Sequence, residues 1–458
     1  MLSKLFQDKN FYRAMLTLST PIIIQNLITF SLGAVDMIMI GQLGDAPVAA
    51  VGLADQIFFL MILMMFGVSS GAAIFSAQYW GKQDIQGIHK VLSLTLATAA
   101  AGSLGFLLVA VLAPEWALGI YTNDPEVIAL GSDYLRVVGW SYLGTAVAVS
   151  YTMLLRSIES VKLPMIVGAI ALITNTTFNY LLIFGHFGFP RLEVTGAALA
   201  TSGSRILEAV ILLSVIYFRR LPLAVNPKAL LSIDLGFAPK FYKTTFPVIM
   251  TEVGWSLGIT TYAIIYARIS TESIAAVNIV VTIERMAFIV FLAMSSACAI
   301  MIGNKIGANE IKQAYVFGKR YLLLALLTAI PIGWMVALSA GAILSFYNVS
   351  ETVADYAQMM MLIMGLVLPI KVTTLMTFIG ILRSGGDTSY SLFLDVGSVW
   401  LIGVPLAFIG AFVLGLPVYW VYLLVVTEEI FKVIIGLRRF LGGPWIHHLT
   451  EPELAVVV

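Results

Sequence analysis

Residues 21–41 place one carboxylate, that of Asp36, in an apolar run long enough to cross a lipid bilayer. An aspartate near the hydrocarbon costs roughly 2.5–3.5 kcal/mol on insertion scales, so chains usually keep such a group facing a cavity as an ion or proton site. Asp36 is therefore the residue around which we organise the chemistry of the chain. The alternative is a helix-end residue that is solvated at the membrane interface.

Polar side chains recur at helical spacing in two later apolar runs. Asn175 and Asn179 stand four residues apart in TNTTFNYLLIFG, and Ala197 and Thr201 have the same spacing in GAALAT, so each pair lies on one helix face. With Asp36 they form a candidate cation-coupling cluster, since amide and hydroxyl oxygens suit a metal ion such as sodium or hydrogen-bond a carboxyl that binds protons. Ordinary hydrogen bonding between helices is the alternative.

The second half of the chain has its own ionisable residues within apolar runs. Glu252 in MTEVGWSLG and Asp395 in LFLDVGSVW lie near aromatic residues and glycines. With Trp255 and Glu284 they are second-half candidates for substrate binding or ion coupling. Because Glu284 adjoins Arg285, we expect these two to neutralise each other in part.

Two further charged groups have structural interpretations. Arg205 and Glu208, three residues apart, predict an ion pair on one helix. Glu428, Glu429 and Lys432 stand toward the end of the last apolar run, and we expect their side chains to snorkel to the interface.

GVSSG at residues 67–71 fits the G-x-S-x-G pattern of serine hydrolases, which require a strand before the serine and a helix after it. Here the pattern lies inside an apolar run, none of the four histidines lies in a predicted span, and no H-E-x-x-H zinc motif occurs. The same residues read as G-x-x-x-G, a helix-packing motif, so we do not expect an enzyme.

The elements that must position these residues are transmembrane helices. The chain has 458 residues, of which 60% are hydrophobic and 11% charged, against about 25% charged in soluble domains. Its 26 basic and 25 acidic residues leave no basic face for nucleic acid, and its one cysteine, Cys298, excludes a disulfide framework or a thiolate metal site. No cofactor and no removed signal peptide are expected.

Apolar runs of spanning length predict an all-α membrane protein with twelve transmembrane helices. They lie near residues 15–40, 55–78, 91–113, 127–155, 163–184, 195–218, 244–267, 277–302, 321–346, 354–382, 390–413 and 417–437.

Basic residues in the loops predict the orientation of the chain. Twenty lysines and arginines fall on the side of the two termini and the even-numbered links, against only Arg191 and Arg268 on the other side. Because basic loops stay in the cytoplasm, both termini are expected there, in a multi-pass protein of the plasma (inner) membrane.

The two halves are related in sequence. Sliding the chain by 226 positions places Pro21 on Pro247 and Gly81 on Gly307, and LLRS ending at Ser157 matches ILRS one position further along. The repeat predicts two six-helix lobes with a substrate site between them. We expect an N-terminal lobe at 1–218, a cytoplasmic linker at 219–243, a C-terminal lobe at 244–437 and a cytoplasmic tail at 438–458.

The chain resembles the multidrug and toxic compound extrusion (MATE) family, of the bacterial drug-efflux type. The resemblance is carried by VDMIMIGQLGDAPVAAVGLA, AQYWGKQD, NTTFNYLLIFG and TGAALAT in the first half, and by AAVNI, GNKIGANE and ILRSGGDT in the second. It spans nearly the whole chain and implies antiport of cationic or amphiphilic compounds against protons or sodium.

The resemblance also implies a cation site in the first lobe at Asp36, Asn175, Asn179 and Thr201. Asn179 departs from members that have an aspartate there, so the site has one fewer charge. Glu252 departs from branches whose seventh-helix glutamate falls about one turn later, near Trp255.

Three functions compete on these residues. The first is a secondary active exporter of organic cations, which acts on small molecules within the bilayer and is expected to be monomeric. The second is a flippase for lipid-linked precursors from the same superfamily, which should place several unpaired basic residues in its cavity. Only Arg136, Arg205, Arg285 and Lys371 are candidates for that role. The third, an intramembrane hydrolase, lacks a base for its serine.

Overall fold

The computed structural model describes residues 8–451, so Lys4 of the orientation count and residues 452–458 of the predicted tail lie outside the described residues. Within that range the chain is helical and contains no β-strand, only an isolated bridge between Gly386 and Ile446. The all-helical class is therefore confirmed. The long helices are α1 (Lys9–Ile40), α2 (Asp45–Gly81), α3 (Ile85–Leu112), α4 (Pro125–Val138), α5 (Ser141–Ser157), α6 (Lys162–Phe184), α7 (Glu193–Phe218), α8 (Ala238–Ile269), α9 (Thr271–Gly307), α10 (Ile311–Leu344), α11 (Glu351–Leu375), α12 (Thr388–Ser398) and α13 (Val418–Gly442).

Shorter segments complete the helical path. Helix α11 continues as a π-helical segment, and α12 continues through alternating π-helical and α-helical turns, so both run on as single long helices. The short segments are Gly41–Leu43, Pro114–Gly119, His186–Gly188 and Pro227–Leu231, with Met376–Leu382 after α11 and Val399–Gly403, Val404–Phe408 and Ile409–Val413 after α12.

Ten helices of the described chain are long and apolar enough to cross a membrane, or eleven when α4 and α5 are counted as one span. The single run predicted at 127–155 is in fact these two helices, bent by 55° at a break that contains Gly139. Helix α13 is not among the ten, because Glu428, Glu429 and Lys432 fall within every stretch of it that is long enough to span.

Side-chain caps at the loops explain where several helices begin. Asp84 accepts a hydrogen bond from the Gly87 amide at 2.9 Å before α3, and Asp124 accepts two amide bonds before α4. Ser270 and Ser350 cap α9 and α11 in the same way. Each cap satisfies amides that the first helical turn leaves without a partner.

The helices form two compact units. The N-terminal unit comprises residues 20–249, and a core cluster within it joins α1, α2, α3 and the helices from α4 to α7. The C-terminal unit comprises residues from Met250 onward together with the described residues up to Ser19. Its core cluster joins the later part of α8 with helices α9 to α13.

The segment predicted as a linker, residues 219–243, belongs to the N-terminal unit. Leu223 and Phe241 are fully buried, and Lys90 on α3 forms an ion pair with Asp234 at 2.9 Å. The hydrogen bond and charge of Lys90 hold the pKa of Asp234 below its ordinary value.

The glycines of GVSSG lie at a helix contact inside this unit. A Cβ on Gly67 would stand 2.9 Å from Cα of Ile249, and one on Gly71 would stand 2.8 Å from Cγ2 of Thr245. These residues therefore allow α2 and α8 to approach closely, as the helix-packing motif predicts. Ser69 between them is fully buried, and its hydroxyl has no hydrogen-bond partner in the described chain.

Candidate functional site

The first-half candidates meet in one hydrogen-bonded chain across α1, α6 and α7. Nδ2 of Asn179 donates to Oδ1 of Asp36 at 2.5 Å and to Oδ1 of Asn175 at 3.1 Å. Nδ2 of Asn175 in turn donates to Oγ1 of Thr201 at 3.3 Å. The structure thus brings together four residues from three helices that are distant in sequence.

Helix geometry explains this arrangement. Asn175 and Asn179 lie one turn apart and are fully buried, while Ala197 lies one turn before Thr201 and is also buried. Ala197 has no polar side-chain atom, so it can offer only its backbone carbonyl to a ligand. Asp36 approaches from the last turns of α1 and is partly exposed.

One acceptor in this cluster has no partner. Oδ1 of Asn179 is buried and accepts no hydrogen bond within residues 8–451. A buried polar atom without a partner costs about 1–3 kcal/mol, so this oxygen is suited to bind a water molecule or an ion. Oxygen atoms from Asp36, Asn175, Asn179 and Thr201 are the kind of ligands that a sodium ion takes.

Arg205 and Glu208 form the predicted ion pair, with Nη1 of Arg205 3.0 Å from Oε2 of Glu208. Arg205 follows Thr201 by one turn of α7, so this pair lies beside the cluster. The positive charge of Arg205 acts on Asp36, but its hydrogen bond goes to Glu208.

Sequence reasoning missed two residues of this region, Asp55 on α2 and Tyr134 on α4. The charges of Asp36 and Asp55 act on each other, and both act on Tyr134, which is buried. Asp55 was overlooked because the second span was predicted to begin there, whereas α2 begins at Asp45. The position of Asp55 well inside a helix could have identified it as a candidate.

The second-half candidates do not form one cluster. Glu252 on α8 forms an ion pair at 2.7 Å with the buried Arg383, in the turn after Leu382, so its carboxylate already has a partner. Trp255, one turn beyond, has 41% of its surface exposed.

Glu284 pairs with a residue distant in sequence. Its Oε1 lies 2.6 Å from Nζ of Lys371, and Tyr422 hydrogen-bonds to both residues. The expectation that Arg285 neutralises Glu284 is therefore wrong, because adjacent residues point to different sides of a helix. Arg285 is exposed.

Asp395 belongs to a network around Lys432. Nζ of Lys432 lies 3.0 Å from Asp395, 3.3 Å from Glu428 and 3.6 Å from Glu429. Lys432 is 1% exposed and Glu428 is 5% exposed, so the expectation that these side chains snorkel is wrong. The lysine is held inward because three carboxylates surround it.

Helix α8 and the continuation of α12 also contact the network around Lys432. Tyr262 donates its hydroxyl hydrogen to Oε2 of Glu428 at 2.7 Å. A Cβ on Gly403, in a π-helical turn, would clash with both side chains, so the glycine makes room for this contact.

No group of three or more histidine, cysteine, aspartate or glutamate side chains in the described part of the chain could hold a metal ion. Any bound cation in the Asp36 cluster would therefore depend on amide and hydroxyl oxygens as well as on carboxylates.

A polytopic helical protein with a carboxylate, amides and buried ion pairs inside its spans has the make-up of a membrane transporter. The sequence model of the MatE family matches residues 21–181 and again residues 247–409. The chain belongs to the MatE family of transporters. The two matches begin at Pro21 and Pro247, the prolines that the internal repeat places in register.

Curated relatives and solved structures extend over nearly the whole chain. The chain is 26% identical to the uncharacterized transporter YisQ of Bacillus subtilis over 96% of both proteins. It is 24% identical to the probable multidrug resistance protein NorM of Thermotoga maritima over 94% of this chain and 93% of that protein.

Its fold matches a mutant of the Vibrio cholerae MATE transporter VcmN with a TM-score of 0.86 and 17% identity, over 94% of this chain and 97% of the other. A MOP superfamily transporter from Pyrococcus furiosus matches with a TM-score of 0.82 and 18% identity, over 96% of both chains.

Proposed function

We propose that the protein is a secondary active multidrug exporter, which antiports organic cations or amphiphilic drugs against protons or sodium. The observation that carries the proposal is the contact of Asp36 with Asn179, Asn175 and Thr201 inside a membrane-spanning unit. Relatives described as probable multidrug resistance proteins support small drug-like substrates.

The coupling mechanism follows from the cost of a negative charge inside the membrane. A proton or sodium ion on Asp36 removes that charge, so the loaded and empty states of the unit favour different helix packing. A cationic substrate that favours the empty state is then exchanged for the ion, because each ligand shifts the equilibrium toward its own state. Glu252, Trp255, Glu284 and Asp395 remain candidates for contacts with substrate or for coupling in the second lobe.

We further propose twelve transmembrane helices in two six-helix lobes, with α4 and α5 forming one bent span and α13 forming the last. The repeat in the sequence and the double match to one family model support this division. The location that we propose is the bacterial inner membrane, with both termini in the cytoplasm and the protein acting as a monomer.

The ion pairs disfavour the alternative of a flippase for lipid-linked precursors. Of the four basic residues available in the spans, Arg136 pairs with Glu115, Arg205 with Glu208 and Lys371 with Glu284. Paired bases hold anionic head groups less well than unpaired ones do, because their charge is already neutralised.

Proteoliposome transport tests the proposal. Uptake of a fluorescent organic cation is measured with a proton gradient and a sodium gradient imposed separately, for the native protein, Asp36→Asn and Glu208→Gln. We expect one gradient to drive uptake by the native protein and by Glu208→Gln, and Asp36→Asn to insert normally but to lose gradient-driven uptake. Native rates in Asp36→Asn would make Asp36 a structural residue and reject this mechanism.

A further inference from the structure

Asp55 is a second carboxylate within a spanning helix of the N-terminal unit. It lies ten residues after Asp45, the first residue of α2, or about 15 Å along the helix. Its side chain is exposed, and no hydrogen bond or ion pair engages it among residues 8–451. Because a carboxylate facing lipid costs roughly 2.5–3.5 kcal/mol, such a group is expected to serve an ion or a water-filled cavity.

This part of α2 packs into the same core as residues beside the Asp36 cluster. Ala54, next to Asp55, is fully buried in the core group that also contains Ile40, one turn after Asp36. The same group contains Ala197 from the cluster itself. Asp55 therefore lies at the edge of the core that holds the cluster together.

The charges of this region do not balance. The negative charge of Asp36 and the positive charge of Arg205 both act on Asp55. Arg205, however, is already paired with Glu208 at 3.0 Å. Asp36 and Asp55 together therefore carry two negative charges that no basic side chain in the described part of the unit pairs with.

Two buried side chains that interact with these carboxylates each have a polar atom without a partner. Oδ1 of Asn179 belongs to a fully buried side chain whose amide nitrogen is bonded to Asp36. The hydroxyl of Tyr142, also fully buried, has no partner within residues 8–451, and the charge of Asp55 acts on it. The charges of both carboxylates also act on Tyr134. These atoms indicate a ligand that the two carboxylates share.

We propose that Asp55 is a second ion-binding carboxylate of the Asp36 cluster, so that the N-terminal unit takes up two positive charges for each cycle. The inference rests on the proposed antiport function. The two ions are protons, sodium ions or one of each. In every case the unit takes up two positive charges.

The affinity of the purified full-length protein for ethidium in lipid nanodiscs tests this proposal. Kd is measured across pH at fixed sodium and across sodium at fixed pH, because the slope of log Kd counts the cations that ethidium displaces. We expect the two slopes to sum to about two for the native protein and for Asp55→Glu, and to about one for Asp55→Asn. Asp45→Asn, at the exposed start of the same helix, should match the native protein.

The outcomes separate this proposal from the proposed function. Native slopes in Asp55→Asn, with reduced slopes in Asp36→Asn, would overturn the role of Asp55 and leave antiport intact. A native Kd that depends on neither pH nor sodium would instead reject antiport. Melting temperatures verify folding, and Asp55→Gln replaces Asp55→Asn if that variant does not fold.

Discussion

At the scale of residues, a carboxylate that is held in a buried ion pair differs from one that is free to bind a coupling ion. Glu252 and Arg383 are almost completely buried, with side chains 12% and 4% exposed. Removing one partner of such a pair costs about 3–5 kcal/mol, because the other charge stays buried without compensation. Asp36, in contrast, is hydrogen-bonded only to a neutral amide, so its charge is available to an ion.

We predict that Glu252→Gln lowers the melting temperature in detergent by several degrees while the protein keeps its gradient dependence. Arg383→Met in the same chain should restore part of the loss, since it removes the unpaired charge. Glu115→Gln is the control, because its partner Arg136 is 47% exposed and surface pairs contribute about 0–1 kcal/mol. Loss of coupling in Glu252→Gln at an unchanged melting temperature would assign Glu252 to ion coupling instead.

Local spacing could be predicted from the sequence, whereas partners across helices could not. The one-turn spacing of Asn175 and Asn179, and the pair of Arg205 with Glu208, follow from the helical repeat alone. The partner of Glu284 depends on which helices pack together, and neighbouring sequence suggested Arg285 instead of Lys371. For the same reason Lys432 was expected at the interface rather than inside a network.

At the scale of elements, the ends of the helices were harder to predict than their existence. Apolar runs located the long helices, but polar turns at their ends continued the helix, so α2 begins at Asp45 and α13 extends through Gly442. The bend between α4 and α5 depends on tertiary packing. A Cβ on Gly139 would stand 3.0 Å from Cβ of Ala110, so α3 packs directly against the break.

The segment after α13 docks on the loop before α12. The amide of His447 donates to the carbonyl of Gly385 at 2.7 Å, and Trp445 is completely buried. Asp387 in the same loop accepts a hydrogen bond from Nε of Arg439 at 2.7 Å, and its carboxylate lies 3.7 Å from the ring of His447. Charged and backbone contacts thus attach this segment to the loop.

Burial alone would raise the pKa of Asp387, but the nearby His447 ring and the hydrogen bond and charge of Arg439 outweigh it and hold the pKa below its ordinary value. Docking is therefore fully supported above pH about 4 and weakens as the pH falls through the lowered value. We predict that Asp387→Asn at pH 7 reduces the hydrogen-exchange protection of the His447 amide about tenfold, because charge-assisted bonds are lost.

Native protection in that variant would show that Trp445 and the backbone bonds hold the segment without Asp387. Asp355→Asn, on the exposed side of α11, is the control and should leave protection unchanged. Protection factors corrected for intrinsic exchange also allow the native protein to be compared between pH 7 and lower pH.

At the scale of the whole molecule, the internal repeat relates a buried arginine of one half to a buried arginine of the other. Arg156 and Arg383 stand 227 positions apart, as do Gln25 and Glu252. In the N-terminal unit Arg156 hydrogen-bonds to the carboxamide of Gln25 at 2.7 Å, and in the C-terminal unit Arg383 pairs with the carboxylate of Glu252. The two halves therefore share the position of a buried arginine but differ in whether its charge is neutralised.

The same repeat preserves membrane orientation, because each half contributes an even number of spans under the proposed topology. Basic residues crowd one set of loops, and residues 219–243 carry several of them. We predict that a cysteine at position 45 is labelled by an impermeant maleimide only from outside the cell, and one at position 232 only after the cytoplasmic side is opened. Both sites are exposed.

The native Cys298 is completely buried, so it contributes little background to this labelling, and its replacement by alanine provides the reference chain. A second pair of cysteines, at positions 187 and 309, lies in loops of opposite predicted sides and should reproduce the result. Labelling of position 45 from the cytoplasmic side alone would invert the topology. Asp36, near the end of α1 that leads to this loop, would then open toward the cytoplasm, and the direction of ion entry in the proposed antiport would be reversed.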